Sequence, residues 1–322
     1  MNMMKINKTW PALVVIVALA GLVPFFTKDQ YIIHVGVFLF LYITLASSLN
    51  IIVGFTGQPN FAHATFFGVG AYAAALSVLR FQTPFLFNLI LAGIASSLFG
   101  LVIGLPSLRL KGHYLAIVTI GFGQIIRLIE INWDSFTGGP MGLPGIPTAT
   151  IGGYGFDRTT FYYFSLVLGI VVLAIIYRLM NSRIGRALMS IRDDEMAAEA
   201  LGVNTRYYKI YSFVLSTFLA GLCGAVYAHY VSFVSPDTFT HDDSITFLCM
   251  VVLGGGGTFF GPILGAAVLT LAPELFRFAS YYRYIIIGFV MVVAIMVREG
   301  VFLQPLKTLT TRFRGAVLRQ EN

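Results

Sequence analysis

Long uncharged apolar runs alternate with short polar stretches along the 322-residue chain. A helix that crosses roughly 30 Å of hydrocarbon needs about 20 mostly apolar residues. The windows Tyr31–Val53, Phe85–Leu108, Thr159–Tyr177, Ile210–Ser235 and Ser244–Ala272 meet that requirement. Pro11–Thr27 and Ala62–Leu79 are somewhat short, Tyr114–Asn132 carries Arg127 and Glu130 toward its far end, and Tyr284–Val297 is marginal. The pattern therefore predicts about nine membrane segments, some of them partial. Lipid offers the backbone no hydrogen-bond partners, and these runs are too long for barrel strands, so the segments are expected to be helices. The predicted fold class is all-α: a polytopic transmembrane helical bundle, with residues 1–322 as one membrane-spanning domain.

Composition agrees, with 57% hydrophobic and only 11% charged residues, against about 25% charged in a soluble domain. The two cysteines, Cys223 and Cys249, lie inside apolar runs and match no disulfide or metal-ligand spacing, so they read as small hydrophobes. No metal or cofactor is expected. The net charge of +7 does not point to nucleic acid, because the basic residues lie between and after the apolar runs rather than on one soluble face.

Cytoplasmic loops retain lysine and arginine, which sets an orientation. The stretch 178–209 holds Arg178, Arg183, Arg186, Arg192, Arg206 and Lys209, and the tail 298–322 holds Arg298, Lys307, Arg312, Arg314 and Arg319. Both are assigned to the inside. Counting spans backward places Lys5, Lys8, Arg109 and Lys111 inside as well, and places Thr27–Gln30, Arg80–Pro84, Asn132–Arg158 and Ser232–Asp243 outside. Lys5, Lys8, an apolar core and the triplet Ala18, Leu19, Ala20 also fit a cleavable signal peptide; the remaining topology is the same either way.

Two stretches break the helical pattern in opposite halves of the chain. One is Gly54-Phe55-Thr56-Gly57-Gln58-Pro59-Asn60; the other is Gly254, Gly255, Gly256 and Gly257, followed by Gly261-Pro262 and Gly265. Glycine costs about 1 kcal/mol and proline about 3 kcal/mol in a helix interior relative to alanine, so both stretches are expected to be unwound. Unwound backbone at membrane depth occurs where protein buries it or where it lines a watery cavity. Paired breaks therefore point to a translocation route, with tight turns or close packing of small residues as the competing reading. Gln58 and Asn60 favour the route.

The outer loop 132–159 holds seven glycines and three prolines, including Thr137-Gly138-Gly139-Pro140, and is too long for a simple connector. Its expected partner is a soluble protein or an incoming substrate, against an ordered surface cap. In the inner loop, Asp193, Asp194 and Glu195 are placed to cap and charge the start of a short helix, Ala197, Ala198, Glu199, Ala200 and Leu201 form its body, and Gly202 ends it. Met196, Ala197, Ala200 and Leu201 share one face, and Ala198 is counted with the small apolar contact surface. Such a helix docks on the bilayer surface or in a groove of another protein. Its acidic start disfavours the anionic membrane surface.

His34, His63 and His229 stand singly and read as satisfied core or interface histidines rather than functional ones, while Arg127 and Glu130, three apart, read as a local ion pair. The middle of each span lacks carboxylates, which disfavours a proton- or sodium-coupled carrier. No Gly-Lys dipeptide occurs, so the chain has no phosphate-binding loop of that kind and is not expected to be an enzyme.

The stretches Gly54–Tyr72, Leu108–Pro147, Ile184–Gly202 and Val251–Ala266 resemble the permease subunits of branched-chain amino-acid ABC importers, over nearly the whole chain. The resemblance implies a bacterial inner-membrane pore built with a sister permease subunit, two cytoplasmic ATPase subunits and a periplasmic substrate-binding protein delivering leucine, isoleucine or valine. It also implies a coupling helix with an EAA-then-glycine motif. Ala197, Ala198 and Gly202 match that motif, but Met196 stands where the glutamate would be, with Glu195 one residue earlier. A urea or short-amide ABC permease resembles the same family; a gradient-coupled carrier and a non-transporting scaffold are the readings from other classes.

Overall fold

A computed structural model describes residues 19–275 except 28, 108, 109 and 111, together with Gly288 and Val292. The chain divides into two compact units, 1–267 and 268–322. Residues 11–18 of the expected segment Pro11–Thr27, nearly all of Tyr284–Val297 and the whole tail 298–322 lie outside the described residues.

The first unit is helical, as the apolar runs require. Helix α1 (Gln30–Asn50) is capped by Asp29, whose carboxylate accepts from the Tyr31 amide at 2.9 Å. It ends in a π-helical turn, Ile51–Phe55, and residues 56–62 are not helical. Then come α2 (His63–Phe81), α3 (Phe85–Ser107) and α4 (His113–Asn132). A loop leads to α5 (Arg158–Met180), capped by Asp157. The Thr160 hydroxyl and amide both donate to the Asp157 carboxylate and hold its pKa below the usual range. The basic loop carries α6 (Arg183–Asp193) and the short α7 (Glu195–Ala200), followed by the long α8 (Thr205–Val231). Helices α9 (His241–Gly254) and α10 (Gly261–Leu275) complete the order. Among the described residues, six helical segments are long and apolar enough to cross a membrane: Gln30–Phe55, α2, Phe85–Pro106, α4, α5 and α8. The chain is a multi-pass membrane protein.

The core is built on α8, which packs most extensively against α3 and α2. Small residues allow that approach: a Cβ at Gly70 of α2 would stand 2.5 Å from Gly221 Cα of α8, and one at Gly224 would stand 2.6 Å from the Ala71 amide nitrogen. The Ser96 hydroxyl on α3 donates to the Phe66 carbonyl on α2 at 2.8 Å, closing the third side. On the flank, α1 packs against α5. The three singled-out histidines differ: His34 is exposed and its Nδ1 bonds Tyr230 Oη at 2.8 Å; buried His63 bonds Ser48 Oγ through Nε2 at 3.0 Å while its Nδ1 has no partner among the described residues; and buried His229 Nδ1 bonds the Pro147 carbonyl of the outer loop at 2.8 Å.

Segments assigned to the outside meet at one end of the bundle. The Arg80 guanidinium donates to the Ser135 carbonyl at 3.0 Å and lies 4.7 Å from the Phe136 ring centroid. Strand β1 (Leu143–Pro144) pairs with β4 (Phe233–Val234), while β2 (Thr150–Ile151) and β3 (Tyr154–Gly155) form a hairpin. Its two-residue turn needs positive φ twice, which Gly152 (59°) and Gly153 (87°) supply.

Three expectations are corrected here. The window Ser244–Ala272 is not one span, because the chain leaves the helix at Gly255 and resumes at Gly261. The segment 232–243 is not wholly an outer loop: Phe239 is buried against Phe67, Tyr72 and Tyr227. Helix α9 accordingly starts beside the beginning of α2, where the Ala64 amide donates to Ser244 Oγ at 3.0 Å. Finally, Arg127 forms its ion pair with Asp237 at 2.8 Å rather than with Glu130; the descending segment brings an exposed carboxylate to the guanidinium, while Glu130 turns inward and is buried.

Candidate translocation and coupling site

The two glycine breaks, some 200 residues apart in the chain, touch. Asn50, on the last turn of α1, reads the second break with both ends of its amide: Nδ2 donates to the Thr258 carbonyl at 2.9 Å, and Oδ1 accepts from the Gly257 amide at 2.8 Å. A side chain at Gly54 would run into Asn50 and the Gly257 amide. At Gly257, φ is +80° and a Cβ would stand 2.9 Å from the Gly54 carbonyl oxygen. Gly254 meets Gly261 and Gly265 in the same way, and Gly255 has φ of 104°. Glycine is needed at these positions for close backbone approach or for the left-handed conformation. Gly256 is different: its φ is not in that region, and a Cβ would meet Val251 Cγ1 at an ordinary 3.5 Å. Gly257→Ala is therefore expected to lower the thermal unfolding midpoint in detergent, at a cost of about 1–2 kcal/mol for an L residue in the left-handed region. Gly256→Ala should stay near wild type, and the opposite order would show that the contact between the breaks is not what fixes these glycines.

The first break also buries polar atoms. Gln58 and Asn60 are 6% and 0% exposed. Asn60 Oδ1 accepts from the Ala62 amide at 3.0 Å, but Asn60 Nδ2 and both polar side-chain atoms of Gln58 have no hydrogen-bond partner among the described residues. Buried amides without partners are costly and call for a reason.

Arg192, from the end of α6, closes the cluster. Its Nη1 donates to the Gly54 carbonyl at 2.9 Å, and its Nε and Nη2 donate to Asp193 Oδ1 at 3.2 and 3.1 Å. Gly57, with φ of 72°, accommodates the arginine stem; a Cβ there would be 2.8 Å from Arg192 Cγ.

Helix α7 follows directly. Asp194 is its N-cap, accepting from the Met196 and Ala197 amides at 2.9 and 3.1 Å. Gly202, at φ of 84°, turns the chain out. Met196, Ala197, Ala200 and Leu201 are exposed, Met196 at 74% and Leu201 at 85%. Ala198, counted with that contact surface, is instead buried at 2%, because a single helical turn resting on its own loop must turn one residue inward. Glu195 pairs with Lys209 Nζ at 2.5 Å, and Lys209 is buried on the first turns of α8. Glu199 Oε1 accepts from the Thr205 hydroxyl at 3.3 Å. These two carboxylates fasten α7 to α8.

Of the outer-loop candidates, Thr137 is buried and its hydroxyl donates to the Glu130 and Trp133 carbonyls at 2.7 and 2.8 Å, finishing α4. Gly138 and Gly139 have φ of 76° and 56° and carry the chain around that end. They are not brought together with the breaks. Sequence reasoning missed Asn50, Arg192 and Lys209 as site residues; the available signal was an amide or cation adjoining a glycine run or an acidic helix start.

The model of the family described as branched-chain amino acid transport system / permease component matches residues 31–295. The chain belongs to this family. Among its relatives, the high-affinity branched-chain amino acid transport system permease protein LivM of Escherichia coli K12 is 35% identical over 310 residues, covering 89% of this chain and 73% of that protein. A probable LivM permease of Methanocaldococcus jannaschii is 28% identical, covering 75% of this chain and 80% of that protein. The autoinducer 2 import system permease protein LsrC of Yersinia pseudotuberculosis is 26% identical over 64% of this chain and 62% of its own length. No solved structure matches the chain. A permease component is a transport subunit, part of an ABC system with partner subunits, and the helical bundle with its paired breaks is to be read in those terms.

Proposed function

We propose that this chain is a membrane subunit of a bacterial inner-membrane importer for leucine, isoleucine and valine. It works with a sister permease subunit, two cytoplasmic ATPase subunits and a periplasmic substrate-binding protein. The observation that carries this reading is the meeting of the two glycine breaks directly beside the basic loop with its exposed apolar helix α7. Non-helical backbone from both halves of the chain, with the buried amides of Gln58 and Asn60 in the first break, is the kind of structure that passes a polar substrate. Helix α7 offers Met196 and Leu201 to a groove on the ATPase subunit. The basic loop and the tail 298–322 face the cytoplasm, and the loop 132–158 faces the binding protein.

Uptake of radiolabelled isoleucine by proteoliposomes holding the assembled transporter tests the reading. Uptake is expected to require lumenal ATP and loaded binding protein, to survive an ionophore that collapses ion gradients, and to resist competition by urea. Uptake that needs no ATP and stops with the ionophore would make the protein a gradient-coupled carrier instead, and strong competition by urea would move it to the amide permeases.

A further inference from the structure

We infer that Arg192 is a positioning residue for transport, tying the ATPase-facing loop to both glycine breaks at the inner end of the route. The inference rests on the reading of α7 as the ATPase contact. One guanidinium joins three elements: Nη1 holds the Gly54 carbonyl, the stem lies in the notch left by Gly57, and the same nitrogen sits where a side chain at Gly257 would have to go. Asn50 locks the second break to the first through two hydrogen bonds, so whatever moves Gly54 also moves Gly257 and Thr258. Arg192 is separated from the α7 N-cap, Asp194, by Asp193 alone, and Asp193 accepts from two of its nitrogens. Displacement of α7 is therefore delivered to Arg192 with almost no slack. In the arrangement seen here, the arginine holds the Gly54 carbonyl and fills the space beside Gly57 and Gly257. Pulling it away removes the donor on the Gly54 carbonyl and frees the space beside Gly57 and Gly257.

The geometry differs from an ordinary loop-to-helix hydrogen bond in one respect. Gly57 and Gly257 lie in different breaks, both have positive φ, and both are shaped around this one side chain. An arginine that only stabilised the loop would need neither.

The test measures ATP hydrolysed per isoleucine imported, per assembled transporter, in proteoliposomes, for wild type, Arg192→Ala and Arg192→Lys. Co-purification of the ATPase subunits is read separately, with Met196→Asp as the variant that probes docking alone. Arg192→Ala is expected to retain the ATPase subunits and to raise the ratio roughly tenfold or more, the factor that corresponds to about 1.4 kcal/mol. Arg192→Lys, with a single point donor in place of the fork, should fall between the two. A wild-type ratio in both variants, with hydrolysis and uptake falling together, would overturn the inference and leave Arg192 a structural residue. If Arg192→Ala does not assemble, the Lys variant decides: a raised ratio supports the role and a wild-type ratio refutes it. Unchanged ATPase association in Met196→Asp would remove the docking reading of α7, on which the inference rests, and would overturn it by a readout separate from the Arg192 ratio.

Discussion

Glu195→Ala is expected to destabilise the protein by about 3 kcal/mol, at the lower end of the ~3–5 kcal/mol lost when a buried ion pair is broken from one side. The reason is the partner left behind. The Lys209 side chain is 4% exposed and its ammonium lies 2.5 Å from Glu195 Oε1, which is itself only partly exposed. Without the carboxylate, a charge remains where water reaches it poorly, and the protein must open the start of α8 or accept the desolvation cost. Replacing both partners removes the orphaned charge, so Glu195→Ala with Lys209→Met should recover most of the loss. Thermal unfolding of the purified chain in detergent reads both variants. A Glu195→Ala midpoint equal to wild type, or a double variant worse than the single one, would mean that the pair does not hold α7 in place. The same measurement bears on function, because α7 can transmit force only if it is fastened to the span behind it.

The helical bundle was legible because it depends on short-range facts. A run such as Tyr31–Val53 has one stable form in lipid whatever its neighbours do, and the structure places α1 over Gln30–Asn50 with the π-helical turn Ile51–Phe55 after it. The breaks were legible in part, since a run of four glycines disfavours a helix; but Gly54 and Phe55 still belong to the π-helical turn, Gly254 ends α9, and Gly261, Pro262 and Gly265, expected to be unwound, lie in α10. What the sequence could not show is what crosses the chain. Nothing near Asn50 announces Thr258, 208 residues away, and nothing near Arg127 announces Asp237, whereas Glu130 stands at helical spacing and invites the wrong pairing. Ala198 fails for a different reason. Periodicity needs several turns to separate an inner from an outer face, and Glu195–Ala200 supplies little more than one, so the buried alanine could not be told from its exposed neighbours. The descent of Phe239 into the bundle was hidden because an acidic stretch containing Asp237, Asp242 and Asp243 reads as a surface loop. The apolar ring that draws it inward lies among those acids.

Gly221→Val should have the largest effect of any single change considered, abolishing the folded bundle rather than weakening it. Gly221 lies on α8 between α2 and α3. Its own Cα and carbonyl oxygen would be 2.5 and 2.6 Å from a Cβ at Gly70, and a Cβ on Gly221 itself would stand 2.8 Å from Ser96 Cβ and collide with the Ala92 carbonyl. The nearest obstacles are the Ala92 carbonyl, which is backbone, and the root of the short Ser96 side chain, both on α3, and neither can swing aside as the far end of a long side chain would. Overpacking in a core costs typically about 1–3 kcal/mol when side chains can adjust. Here the helices must separate along their closest line, losing the Ser96 to Phe66 hydrogen bond and the contacts around it, against a total stability of only about 5–15 kcal/mol. Gly104→Ala provides the control on the same face of α3. A Cβ there meets Phe213 Cβ at 3.6 Å and Ile210 Cα at 3.7 Å, ordinary contact distances, and alanine favours the helix by about 1 kcal/mol over glycine. The two variants, expressed and extracted in parallel, should behave oppositely on size exclusion: Gly104→Ala as a monodisperse peak at wild-type yield, Gly221→Val as aggregate or nothing. A monodisperse Gly221→Val protein with wild-type thermal stability would mean that α8 does not approach α2 and α3 as closely as the structure places it, and the core of the fold would need to be redrawn around a wider spacing.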